Sequence, residues 1–170
     1  GVVIDNGCLF RGGKEKAIRS RIVTKDLIEA VILLPEKLFY NTGAPGAVLI
    51  FNRNKHHDRK NSILFINAGE EYEQHPDVRK LNILGAGNQE KIVSAYRDYR
   101  EIEGFSRIVP VKEVAEENDF NLNVTLYVFP EEEIEDIDVA AEWKELKKIE
   151  KELKQLTEKI EGYLKELDYT

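Results

Sequence analysis

A chain of 170 residues with a formal charge of −7, 42% hydrophobic and 34% charged, is long enough for one domain with a true core plus an appendage, and short for two independent domains. No apolar run approaches the roughly 20 residues that span a bilayer, and no basic segment precedes a signal-like apolar core, so membrane insertion and secretion are not expected and the cytoplasm is. Cys8 is the one cysteine, which excludes a disulfide framework.

The charge is uneven. Residues 1–60 carry eleven Lys/Arg against six Asp/Glu, a net +5, which leaves −12 for the rest of the chain. The acidic total argues against wholesale nucleic-acid coating, while the basic first third has the sign needed to face phosphates. Ordinary solvated helix faces would give the same imbalance.

The sequence has no methionine and opens on Gly1-Val2-Val3-Ile4, as if a strand were already under way; a fragment of a longer protein is the expectation. Val2 to Ile4 reads as a first, β-branched strand ending at the turn signal Asp5-Asn6-Gly7. Cys8 reads as a small apolar residue beside that strand, with a nucleophile as the alternative. From Lys14 to about Val23 the spacing of Ala17, Ile18 and Ile22 predicts a helix. Gly12-Gly13 before it, without a GxGxxG or Gly-Lys-Ser/Thr pattern, reads as a plain loop-to-helix turn.

The apolar run from Leu27 to Leu34, stopped by Pro35, predicts a buried strand over Ala30–Leu34. A loop with two prolines, a glycine and the pair Phe39-Tyr40 follows, then a third strand from Ala47 to Phe51. The polar turn 52–61 leads to a fourth strand, Ser62 to Asn67. Strand, helix, strand, strand is the tail of an α/β sheet, and such sheets place ligand chemistry at the loops beyond their strand ends. His56-His57-Asp58 in the polar turn lacks a second Cys/His cluster, and adjacent residues in a flexible loop are not expected to converge, so no metal site is expected.

Residues 69–87 read as polar and irregular, with Gly85-Ala86-Gly87-Asn88 breaking before a helix from Gln89 to Arg100 whose apolar face is Ile92, Val93 and Tyr96. Ile108-Val109 reads as extended, Pro110 to Glu117 as a short helix, 118–123 as a turn and Val124 to Val128 as extended. After an acidic linker, residues 129–136, one long helix is predicted from about Val139 to Leu167. Along it Leu146, Ile149, Leu153, Leu156, Ile160, Tyr163 and Leu167 alternate at spacings of three and four, a heptad seam that needs a partner. Packing back on its own domain and an intermolecular bundle are both open.

Four stretches taken together resemble the modification subunit of type I restriction-modification systems. They are Gly7-Cys8-Leu9-Phe10-Arg11-Gly12-Gly13; Ile18-Arg19; Leu34-Pro35 through Phe39-Tyr40-Asn41-Thr42-Gly43 to Pro45; and Phe105-Ser106 with Asn118-Asp119-Phe120-Asn121-Leu122-Asn123. The resemblance runs over essentially the whole chain. Asp5 and Cys8 stand where the family usually has a proline and a small aliphatic around the Asn-Gly, and Leu126 replaces a common arginine.

That family comprises S-adenosylmethionine-dependent adenine-N6 DNA methyltransferases. The resemblance implies an α/β fold, the C-terminal part of a Rossmann-like methyltransferase sheet of about four strands with flanking helices, followed by a helical tail. It divides the chain into 1–68, the sheet; 69–130, a mixed α/β extension; and 131–170, linker and coiled-coil-like helix. The family's cofactor loop and Asn-Pro-Pro-aromatic motif do not occur in this sequence, so no catalytic or cofactor-binding residue is assigned and the chain is expected to be inactive alone.

An extruded adenine is held by aromatic stacking as well as by edge hydrogen bonds. By resemblance Phe39 takes the stacking position, with Tyr40 as the fallback; plugging the sheet end is the other role open to Phe39. Asn41, Thr42, Arg11, Lys14, Arg19, Arg53 and Lys55 are candidate DNA-backbone contacts, with Arg59 and Lys60 beside them. The implied partners are the specificity subunit, met through the heptad seam, the N-terminal part of the methyltransferase, DNA, and a further copy of the chain. A non-catalytic module that associates through its C-terminal helix is the competing expectation.

Overall fold

The computed structural model describes residues 1–129 and 139–166. The chain divides into two compact units, Gly1–Glu132 and Glu133–Thr170.

In the first unit, β1 (Val2–Asp5), β2 (Ile28–Leu33), β3 (Gly46–Phe51), β4 (Ser62–Asn67) and β7 (Ser106–Pro110) form one sheet in the order β1-β3-β2-β4-β7. A two-stranded ribbon, β5 (Glu73–Gln74) with β6 (Asn82–Ile83), stands apart from it. Two helices complete this unit, α1 (Gly13–Thr24) and α2 (Ala86–Asp98). β3 is antiparallel to both β1 and β2, β4 is parallel to β2, and β7 is antiparallel to β4. It follows that β1, β2 and β4 run the same way and deliver their carboxyl ends to one rim.

The side-chain period of two builds two cores from the same strands. Val31, Leu33, Ile63 and Phe65 point to one face, where they meet Val23 of α1 and Leu122, Val124 and Tyr127 from the end of the unit. Ala30, Ile32, Leu64 and Ile66 point to the other, against Ile92 and Ala95 of α2. Phe65 and Tyr127 stack with ring centroids 4.1 Å apart. β2 and β4 are covered on both faces, which is why they read as apolar runs, interrupted in β2 only by Glu29.

Several expectations change. The last expected strand, Val124 to Val128, is a 3₁₀ turn over Val124–Leu126; Tyr127 and Val128 are buried by the turn rather than by sheet pairing. Residues 106–110 add a fifth strand to the sheet that residues 1–68 begin. On α1 the inward face is Val23 with Arg19, while Ala17 and Ile18 are exposed. Ala95 replaces Val93 on the buried face of α2. The short helix near 113–117 is π-helical, and the ribbon within 69–87 has no counterpart in the sequence reading.

In the second unit, α3 (Val139–Glu166) is a single helix. Leu146, Ile149, Leu153, Leu156, Ile160 and Tyr163 of the heptad seam are between 44% and 63% exposed on it. Leu167 and the acidic linker 130–136 lie outside the described residues.

Candidate functional site

The rim at the carboxyl ends of β1, β2 and β4 collects the loop 34–45. Its geometry turns on Gly46, the first residue of β3. A Cβ there would stand 2.6 Å from Phe39 Cε2, so only glycine lets the phenyl ring lie across the strand end. Phe39 is half-buried: it packs on the α2-side core, and it also lines a shallow cleft of about 230 Å³. Val3, Ile4 and Asp5 of β1 form the opposite wall of that cleft. One ring thus both closes the sheet end and borders a cleft beside β1.

Tyr40 projects outward, 76% exposed. Asn41 is left-handed at φ 64° and Lys37 at φ 56°, an uncommon pair of non-glycine positions in one loop. The Thr42 hydroxyl accepts from the Ala44 amide at 3.1 Å. The ribbon holds this loop in place, because the Asn82 backbone and side-chain nitrogens donate to the carbonyls of Lys37 and Glu36, both at 2.9 Å.

Arg11 and Lys14 follow β1 and therefore begin on the same side. Arg11 is exposed and pairs with Asp5 at 2.9 Å and Glu15 at 3.6 Å. Lys14 is exposed.

Two of the expected phosphate contacts are corrected. Arg19 is 6% exposed: its Nε donates to the Phe120 carbonyl at 3.1 Å and its Nη1 to the Cys8 carbonyl at 2.8 Å. Burial lowers its pKa below the usual guanidinium value, opposed by the Glu15 carboxylate. Lys55 is 5% exposed, with Nζ 2.5 Å from Asp26 Oδ1 and 2.8 Å from the Ser62 carbonyl. Each side chain places two hydrogen bonds on partners inside the protein.

Arg53, Lys55, Arg59 and Lys60 stand at the opposite end of the sheet from the loop 34–45. The connection 52–61 leaves β3 opposite the start of β2, since Phe51 pairs with Ile28. A six-residue strand, about 17 Å at ~3.3 Å per residue, separates it from the rim loop. Arg59 there pairs with buried Glu29 at 3.3 Å and lies over the Tyr99 ring. Glu29 also accepts from Tyr96 at 2.8 Å and Asn52 at 3.2 Å. This buried network was not legible in sequence, because Glu29 lies inside an apolar run at a β-bulge between Ile28 and Ala30.

His56, His57 and Asp58 do converge, with their ligand atoms within 4.8 Å, contrary to the sequence expectation. All three are exposed, and the Nδ1 atoms of His56 and His57 lie 2.8 and 2.5 Å from the oxygens of the one carboxylate.

Motifs from the two ends of the first unit meet. The Leu122 amide donates to the Leu9 carbonyl at 2.9 Å, and Arg19 bridges the same two segments. Between them lies a cleft of about 420 Å³ in which Asn6, Asn67 and Asn123 stand beside the apolar Phe10, Leu33 and Leu34, with Asn6 Oδ1 buried and without a partner.

Among solved structures, the type I restriction-modification methyltransferase subunit of Streptococcus thermophilus superposes with a TM-score of 0.66 at 35% identity, covering 74% of this chain and 25% of that one. The EcoKI M protein shares the fold at TM-score 0.55 and 18% identity, over 94% of this chain and 40% of that one. The mixed sheet with helices is thus of the α/β methyltransferase-like class.

Residues 1–136 match the model of the N-6 DNA methylase family, and the chain belongs to that family. The MjaVII methylase subunit of Methanocaldococcus jannaschii, a type I restriction enzyme subunit, is 59% identical over 96% of this chain and 28% of its own length. The MjaVIII methylase subunit of the same organism is 53% identical over 99% of this chain and 29% of its own length. The chain therefore spans less than a third of these curated relatives.

Proposed function

We propose that this chain acts as the C-terminal part of the modification subunit of a type I restriction-modification system, which methylates adenine N6 in DNA using S-adenosylmethionine. Its sheet is then the C-terminal part of a Rossmann-like methyltransferase sheet. The carrying observation is Phe39: half-buried, seated on Gly46, and facing a cleft beside the carboxyl end of β1. In this role the ring stacks on the extruded adenine, while its buried edge fixes its orientation and keeps water from that side of the base. Asn41, Thr42, Arg11 and Lys14 lie on the same rim for backbone contact.

No cofactor-binding residue is assigned to this chain, because the family's cofactor loop does not occur in its sequence. Cofactor chemistry is assigned to sequence outside this chain, and the chain alone is expected to be inactive in the cytoplasm, its expected location.

The test joins the N-terminal segment of the MjaVII relative to this chain and co-expresses the chimera with a specificity subunit. Methyl transfer to DNA adenine is expected, with Phe39→Ala lowering kcat/KM at least about 100-fold, a loss of ~2.7 kcal/mol in transition-state stabilisation. Calorimetry of the chain alone should show no S-adenosylmethionine binding; stoichiometric binding, or an active Phe39→Ala chimera, defeats the reading.

The exposed heptad seam of α3 supports a second reading, an interaction module that engages the helical spacers of a specificity subunit or a second copy of itself. Retention of specificity-subunit binding by a chimera that never methylates would favour it.

A further inference from the structure

We propose that a second groove on the rim, beside the Phe39 cleft, binds the phosphodiester backbone of DNA next to the target base; this rests on the methyltransferase reading above. The groove, about 580 Å³, lies between Lys37–Gly43 of the rim loop and Val78–Leu81 of the turn that joins β5 to β6. Three cations line it, Lys37, Arg79 and Lys80, and no carboxylate does. Among the described residues none of the three is in an ion pair; Lys14, Lys25 and Lys60 are equally unpaired, and what sets these three apart is that they line one concavity.

An exposed ion pair contributes little to stability, so a surface cation standing alone carries no signal by itself. Three unneutralised cations converging on one concavity instead concentrate positive potential where a polyanion can lie. Tyr40 adds an exposed aromatic face to the same groove, and Asn41 and Thr42 add neutral hydrogen-bonding groups. Cations for phosphates beside a ring for a base is the recognition chemistry of an unpaired nucleotide strand.

The groove is held open by contacts already made. Asn82 ties the ribbon to the carbonyls of Glu36 and Lys37. The Leu81 amide donates to the Val78 carbonyl at 2.9 Å, and His75 Nδ1 accepts from the amides of Asp77 and Val78, both at 3.1 Å, closing the turn that carries Arg79 and Lys80. Phe39 and Tyr40 are adjacent, one facing the β1 cleft and the other this groove. A strand whose base is extruded toward Phe39 therefore runs its neighbouring phosphates past Lys37, Arg79 and Lys80.

The test uses the 170-residue chain and a fluorescein-labelled single-stranded DNA oligonucleotide, titrated by anisotropy across a range of salt. Each lost phosphate contact should flatten the dependence of log K on log salt by roughly 0.7. Lys37→Gln/Arg79→Gln/Lys80→Gln should weaken binding about 30-fold and reduce the slope by about 2. Tyr40→Ala should weaken it about 5- to 10-fold at unchanged slope. A control that removes the same charge elsewhere, Lys25→Gln/Lys112→Gln/Lys151→Gln, should change affinity less than about 3-fold. Circular dichroism confirms that each variant is folded.

Equal losses in the groove and control variants, or no DNA binding by the parent chain, overturn the proposal. Displacement of the oligonucleotide by equimolar pyrophosphate also overturns it, because the groove would then take free phosphate rather than a strand. Failure of the methyltransferase reading is seen separately, in the chimera carrying Phe39→Ala, where these three cations are intact.

Discussion

Single residues in this protein do work that their type does not announce. Arg19 looks like a surface cation, yet it ties Cys8 to Phe120, residues 112 positions apart, through two charge-assisted hydrogen bonds. Arg19→Ala should lower the unfolding free energy by about 3 kcal/mol, since two carbonyls lose a charged donor and the stem leaves a void. Urea titration measures this, and Arg19→Lys should recover less than half because an ammonium cannot span both carbonyls. Tyr96 makes a second case. Burial, then its hydrogen bond to Glu29, push its phenol from 10.0 up to about 12. Between those values the folded state keeps a proton that the unfolded chain has released, so stability falls as pH rises. Thermal unfolding across that alkaline range should show the fall, and Tyr96→Phe should make it shallower, the remainder coming from Tyr99 and Tyr127, whose phenols burial also raises.

At the scale of elements, two features present apolar side chains to solvent. β1 pairs only with β3, and Val2 and Val3 on it are 47% and 59% exposed; a strand edge of this kind favours association. The seam of α3 is exposed over six heptad positions, and a 28-residue helix draws most of its stability from packing. Sedimentation at micromolar concentration should therefore show an associated species. Leu153→Glu/Ile160→Glu should shift it to the monomer if the seam carries association; an unshifted species assigns association to the β1 edge. The strands and helices themselves were legible wherever one face or both had a clear period, as in Ile28–Leu33 and Ser62–Asn67. They were not legible at Val124–Leu126, where buried residues of a tight turn imitate a strand, nor at the ribbon Glu73–Gln74 with Asn82–Ile83, whose two-residue strands are too short to show a period.

For the whole molecule, direction is what organises function. The pairing of β3 against both β1 and β2 sends three carboxyl ends to one rim. It places Phe39, Arg11 and Lys14 there and removes Arg53, Lys55, Arg59 and Lys60 to the opposite end. The sequence by itself determined the elements of the sheet, the long C-terminal helix, the loop that carries Phe39 and the family resemblance, because periodicity and local turn chemistry are written in neighbouring residues. Tertiary structure alone decided which cations face solvent and which are buried, why residue 46 must be glycine, and that Lys37 meets Arg79 and Lys80 across one groove. Those facts depend on strand direction and on approaches between residues far apart in the chain, which no local pattern encodes.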